Sequence, residues 1–186
     1  MFDHSPAATG LLEMPDADLL RMHAEGNKDA FGELYQRHRR RLWAVAARIT
    51  GGQDADDAVQ SAMLRAYSCA GGFRGDSAVT TWLYRIVVNA ALDVTRRRPQ
   101  FAAQDREPWS AAWPSEEADI RMDVRRQWLR LSPDHRAALL LVDMMGYPLA
   151  EAARLVGVSA GAMKSRAFRA RAALADRLPD TYPVSA

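Results

Sequence analysis

LAEAARLVGVSAGAMKSRAFRARAAL, residues 149–174, is the stretch on which the fold turns. Apolar positions recur at helical spacing up to Val156, Gly157-Val158-Ser159 makes a tight turn, and Ser159 supplies a hydroxyl suited to capping a second helix. This spacing predicts a helix-turn-helix, whose second helix lies in the major groove of duplex DNA. In that helix Met163, Ala167, Ala170, Leu174 and Leu178 form the inward stripe. Lys164, Ser165, Phe168 and Arg169 then share the outer face, with Arg166 and Arg171 beside them. Long cations neutralise phosphates or donate to guanine edges, a hydroxyl bonds either, and a phenyl ring can press on a thymine methyl. Phe168 is the sharper clue, since a merely solvated basic helix would tuck it into the core.

Upstream, Ser132 followed by Pro133 reads as an N-cap ahead of a first-turn proline, opening a helix that Gly146 ends. Helical period also runs from about Glu116, with Ile120, Val124, Trp128 and Leu131 as apolar positions. Before it, RPQFAAQDREPWSAAWPS (residues 98–115) has three prolines and no amphipathic period, so it reads as a linker. Its aromatics Phe101, Trp109 and Trp113 suit packing back on the domains as well as docking on a partner.

The first half is also helical. A short helix spans about residues 16–24, and a longer one about 28–49 buries Phe31, Leu34, Tyr35, Leu42, Val45, Ala46 and Ile49. A third helix, about 54–69, buries Val59, Ala62, Met63, Ala66 and Tyr67 and turns Asp57, Gln60, Ser61 and Leu64 outward. Asp76 or Ser77 can cap the fourth, in which Val79, Leu83, Ile86, Val87, Ala90 and Val94 form the buried stripe. Its opposite face collects Trp82, Arg85, Asn89, Asp93 and Arg96 within a narrow arc at ~100° per residue, and Arg97 follows. Core packing has no use for an indole, an amide and two guanidiniums together. Aromatic stacking with phosphate neutralisation is what single-stranded nucleic acid requires.

The expected fold is therefore all-α: two small helical domains joined by a flexible linker, the second with a helix-turn-helix. The boundaries read as a flexible N-terminus 1–15, a first domain 16–97, the linker 98–115, a second domain 116–178 and a tail 179–186. A 48% hydrophobic fraction is ample for a core, while a formal charge of +2 gives only weak global attraction to polyanions. Local clusters must supply any affinity for DNA. They are present at RHRRR (Arg37 to Arg41), at RRR (Arg96 to Arg98) and between Arg154 and Arg177.

A single cysteine, Cys69, excludes an intrachain disulfide and a multi-cysteine zinc site. The first twenty residues lack a basic start followed by an apolar run, and no apolar segment approaches the ~18 residues of a membrane span, so a cytoplasmic protein is expected. Asp54, Asp56 and Asp57 suit the first turn of a helix dipole better than a metal, and His4, His23, His38 and His135 show no ligand or catalytic spacing. No phosphate-binding glycine loop occurs either. No cofactor, no metal and no catalytic centre are expected.

Together, DADDAVQSAMLRAY (54–67), FRGDSAVTTWLYRIVVNAALDVTRRR (73–98), a loose linker, and LSPDHRAALLLVDMMGYPLAEAARLVGVSAGAMKSRAFRARAAL (131–174) resemble an extracytoplasmic-function sigma factor of bacterial RNA polymerase. The resemblance covers about residues 16–178 and implies the second and fourth sigma regions without a large middle domain. It implies that Asp56, Asp57, Gln60 and Leu64 dock on the polymerase core. It assigns Phe73, Arg74, Gly75, Asp76 and Ser77 to a loop that captures a base flipped from the minus-10 element, with Trp82, Arg85, Asn89, Asp93, Arg96 and Arg97 behind it. Lys164, Ser165, Arg166, Phe168, Arg169 and Arg171 would read the minus-35 element. The implied partners are core polymerase, promoter DNA and an anti-sigma factor, which is often anchored in the membrane. The alternative is a helix-turn-helix regulator that binds duplex DNA without polymerase; reversing the charge of Asp57 separates the two.

Overall fold

The structure, a computed structural model, describes residues 10–97 and 118–177, with side chains from Val124 onward in the second stretch. The linker reading, its aromatics, Arg98, Ile120 and Leu178 lie outside the described residues or side chains.

Eight helices are named here: α1 (Asp16–Ala24), α2 (Lys28–Thr50), α3 (Ala55–Cys69), α4 (Val79–Arg97), α5 (Ala118–Leu129), α6 (Pro133–Leu139), α7 (Leu149–Val156) and α8 (Ala160–Ala175). A 3-10 turn, Ala70–Gly72, follows α3, and a π turn, Leu140–Met144, extends α6. No strand occurs among the described residues.

Local chemistry sets the ends. Asn27 starts α2 by accepting from the amides of Asp29 (3.0 Å) and Ala30 (3.2 Å). Ser132 and Ser159 do the same for His135 (3.3 Å) and Ala162 (3.1 Å). Gly51 closes α2 at φ +83° and Gly157 closes α7 at φ +70°, left-handed positions at which a side chain is strained. At the head of α4, by contrast, the Ser77 hydroxyl is directed at Ala78 O (3.5 Å), and the helix begins only at Val79.

The first unit packs α1, α3 and α4 around α2, burying Leu19, Leu20, Leu34, Leu42, Ile49, Leu83 and Val87. Arg37 braces it from outside the core. Its guanidinium donates to Asp16 and Met14 O (each 2.8 Å), Leu12 O (3.1 Å), Glu33 (3.2 Å) and Leu11 O (3.3 Å). Residues 10–14, left by the sequence in a free tail, are thereby seated beside α2. Buried His38 meets the other oxygen of Asp16 at 2.6 Å. Histidines 23 and 38 are thus core residues, His23 packing in a three-ring cluster with Phe31 and Tyr67.

The second unit stacks α6, α7 and α8, with Ala137, Leu141, Ala152, Met163 and Ala167 buried between them. It lies directly against the first, and the two apolar interiors form one continuous cluster. This explains what the periodicity of α4 did not show: Val88, Ala91 and Leu92, outside the expected stripe, are also buried. Trp128 reaches across to donate to Arg48 O (2.8 Å), and Leu129 Cδ2 lies 3.1 Å from where a side chain on Gly51 would begin. Two apolar positions depart from expectation. Val124 is exposed, and Tyr67 is 41% exposed because it edges a groove instead of entering the core.

Candidate nucleic-acid and partner interfaces

Helix α3 presents Asp56, Asp57, Gln60 and Leu64 to solvent, and Leu64 is 64% exposed. Asp56, Gln60 and Leu64 of this strip form one wall of a groove of ≈ 1030 Å³ between α2 and α3. Phe31, Tyr35, Trp43, Met63 and Tyr67 line its apolar floor, and Lys28, Arg39, Arg40 and Arg48 supply the opposite wall. The basic run at Arg37 to Arg41 is therefore not one nucleic-acid patch. Arg37 is spent on the N-terminal brace, whereas Arg39 and Arg40 face the groove. Helix twist of ~100° per residue distributes consecutive arginines around the axis, and a run of one letter could not reveal it. Asp56 accepts from the Trp43 indole at 3.0 Å, tying the two walls together.

The loop before α4 projects Arg74, Gly75, Asp76 and Ser77 into solvent, and Gly75 turns it at φ +78°. Phe73 is half-buried, with its ring edge-on to Trp82 (centroids 5.6 Å, 62°). The aromatic pair holds the loop against the first turn of α4. Farther along that face Arg85 is exposed, while Asn89 is half-buried. The Asn89 amide donates to Arg85 O and, across the units, to Leu155 O at the end of α7, both at 2.7 Å. Asp93 lies 3.4 Å from Arg65 and 3.6 Å from Arg96. Arg97 is exposed. One turn before Asn89's level, burial raises the Tyr84 phenol above its ordinary pKa, nearby Arg41 opposes this, and Tyr147 of the second unit adds to it.

On α8, Lys164, Ser165, Phe168 and Arg169 share one open face, and Phe168 is 69% exposed with nothing apolar covering it. The two flanking arginines behave differently. Arg166, 23% exposed, turns toward Asp134 (3.2 Å), and Arg171 is held by Asp143 at 3.0 and 2.5 Å. That pairing raises the pKa of Arg171 further. His135, beside them, is pushed below its ordinary pKa by burial and by Arg169, Asp134 opposing and Arg166 adding. Asp134 and Leu155 were invisible as site residues in the sequence, because an ordinary first-turn aspartate and a backbone carbonyl carry no motif.

The chain combines a helical unit bearing an acidic strip and a basic-aromatic loop with a helix-turn-helix unit, the arrangement of bacterial transcription initiation factors. Residues 34–100 match sigma-70 region 2 and residues 121–174 match sigma-70 region 4. The ECF RNA polymerase sigma factor SigM of Mycobacterium tuberculosis is 46% identical over 171 residues, 89% of this chain and 86% of that one. The ECF RNA polymerase sigma-E factor of Escherichia coli is 30% identical, covering 89% of this chain and 95% of that one. Among solved structures, the sigma factor RpoE in complex with the anti-sigma factor NepR from Bartonella quintana superposes with a TM-score of 0.61 at 26% identity, over 78% of this chain and 94% of that one. CnrH in complex with the cytosolic domain of CnrY gives a TM-score of 0.57 at 31% identity, over 87% and 95%. The chain belongs to the extracytoplasmic-function family of RNA polymerase sigma factors. It is thus a factor for promoter-specific initiation by RNA polymerase, and its family is not one of enzymes.

Proposed function

We propose that the first unit binds core polymerase through the Asp57-Gln60-Leu64 strip and opens the minus-10 element, while α8 places the complex on the minus-35 element. The observation that carries this division of labour is the exposure of Leu64 and Phe168, large apolar side chains on separate faces flanked by charges of opposite sign. A leucine among Asp57 and Gln60 suits a protein partner with a basic surface. A phenylalanine among Lys164 and Arg169 suits duplex DNA. The Phe73–Ser77 loop, braced by Trp82, is the candidate for holding an extruded base, which offsets the few kcal/mol that unstacking costs. The base preferred with an asparagine at 89 and an aspartate at 93 is to be read by promoter mapping.

An anti-sigma partner belongs to this reading, supported by the solved relative RpoE, which is in complex with the anti-sigma factor NepR. Action in the cytoplasm follows from this role, and among the described residues no helix is long and apolar enough to cross a membrane.

Run-off transcription with purified core tests the proposal. Asp57→Lys should abolish core binding and core-dependent transcripts while leaving the helix content intact. Transcripts unchanged by that reversal would refute the docking assignment. Binding of the free chain to duplex promoter DNA with no core-dependent transcript would establish the polymerase-independent regulator in its place.

A further inference from the structure

Helix α1 is bonded to both walls of the α2–α3 groove. At its start Asp16 accepts from Arg37 of α2 at 2.8 Å and meets His38 of α2 at 2.6 Å. In its last turn His23 Nε2 lies 3.0 Å from the carbonyl oxygen of Tyr67 on α3. That oxygen is among the last four carbonyls of α3, which a helix leaves without partners of its own. Helix α1 also packs on the Ala70–Gly72 turn that follows. Two rings reach the groove from this junction. Phe31 of α2 and Tyr67 of α3 both line it, and both pack on His23, with centroids at 4.9 and 4.2 Å.

The groove is therefore held at two places. Toward the end of α2 the Trp43 indole donates to Asp56 at the start of α3, at 3.0 Å, linking the walls directly. Toward the start of α2 Phe31 meets Tyr67 edge-on (centroids 5.1 Å, 79°), and there the link runs through α1. Only the second link depends on a residue outside the two walls.

The choice of an imidazole points to that bond. A carbonyl oxygen only accepts, so Nε2 carries the hydrogen and Nδ1 is left as an acceptor. Nδ1 is buried and meets no donor among the described residues, which destabilises the fold. A phenyl ring would fill comparable space with no polar atom left over. Packing alone does not account for a histidine here, whereas the bond to Tyr67 O does.

We infer that α1 is a strut that sets the width of the core-docking groove, with His23 as its positioning residue. Buried beneath the groove, His23 holds Tyr67 and Phe31 where core polymerase packs without touching the partner itself. This rests on the docking assignment proposed above, since Gln60 and Leu64 of that strip belong to the groove wall.

Two variants of the full chain test it. His23→Phe keeps a ring and removes the donor, and His23→Gln supplies a donor without the ring. Far-UV circular dichroism verifies helix content. Fluorescence anisotropy of the labelled chain titrated with purified core should show affinity weakened up to about tenfold by His23→Phe, the effect of one hydrogen bond, and less by His23→Gln. Run-off transcript yield should recover when core is in excess. Affinity for a mixed-sequence DNA duplex, which uses α8, should not change. Core affinity at the wild-type level in His23→Phe would overturn the inference, as would His23→Gln binding no tighter than His23→Phe. Duplex affinity falling in step with core affinity would also overturn it, because that reports general loss of fold. Amide hydrogen exchange across residues 67–72 of the free chain is read separately, and should be faster in His23→Phe. If wild type and variants all fail to bind core while exchange rises as expected, the docking reading falls and the strut stands.

Discussion

Replacing Arg136 by methionine should cost almost nothing, although Arg136 is among the most deeply buried charges in the chain. Its side chain sits in a residue only 6% exposed; Nη1 donates to Leu129 O at 3.2 Å and Nε meets no acceptor. Burial lowers its pKa from the ordinary guanidinium range to about 10. At 1.36 kcal/mol per unit, that displacement disfavours the charged form by roughly 3 kcal/mol. Neutral pH lies below both values, so the guanidinium is charged and the whole cost is present. One hydrogen bond from a charged donor returns about 1.5–3 kcal/mol. The two nearly cancel. Methionine removes both while keeping most of the volume, so stability should stay within about 1 kcal/mol of wild type. Alanine removes both and leaves a void, which adds a loss of about 2–5 kcal/mol. Urea unfolding of the full chain, with midpoints compared at equal m, distinguishes them. If Arg136→Met loses as much as Arg136→Ala, the guanidinium is a net stabiliser and the reasoning is wrong.

Three further outcomes are expected. Alanine at Gly157 should cost about 1 kcal/mol for its left-handed backbone alone, and alanine at Gly51 more, since its Cβ would also meet Leu129 Cδ2 at 3.1 Å; thermal unfolding ranks them, and equal losses would show that the seam yields freely. Phe168→Ala should leave the free energy of unfolding within about 0.5 kcal/mol of wild type and weaken duplex binding, so a large stability loss would mean the ring packs in solution. His135 should titrate below 6.5 by nuclear magnetic resonance, and Arg169→Gln should move it partway back, burial accounting for the rest. Because the folded value is the lower one, the unfolded chain binds more protons between it and 6.5, and this residue makes stability fall as pH drops through that window. A titration at or above 6.5 contradicts this.

Within each unit, side-chain chemistry that acts over one or two turns was legible. The spacing of Leu83, Val87 and Ala90, the hydroxyls of Ser132 and Ser159, and the outward face of α8 could all be read from sequence, because helix period and capping are local. The seam between units was not. Asn89 sits on a polar strip in any helical projection, and only tertiary packing brings Leu155 O, 66 residues away, to its amide. Val88, Ala91 and Leu92 were missed for the same reason: a helix covered on two sides exceeds the stripe expected of a surface helix. Nothing in the spacing of His38 marked it as buried, because Asp16, the partner that makes its burial tolerable, lies 22 residues earlier. The groove, finally, needed both α2 and α3 in place before the arginines of one could be seen to share it with Asp56 of the other.

The π turn at Leu140–Met144 is the place where the second unit can absorb a change of residue count. There the Met145 amide bonds to Leu140 O and Tyr147 to Leu141 O, so the chain carries surplus residue length within one turn. Removing one residue there returns the ladder to ordinary α geometry with the flanking turns near their present register. Removing one from the regular turns of α6 instead rotates everything beyond it by ~100° about the helix axis. Asp143 would then leave Arg171, and α7 would no longer bring Leu155 O to Asn89.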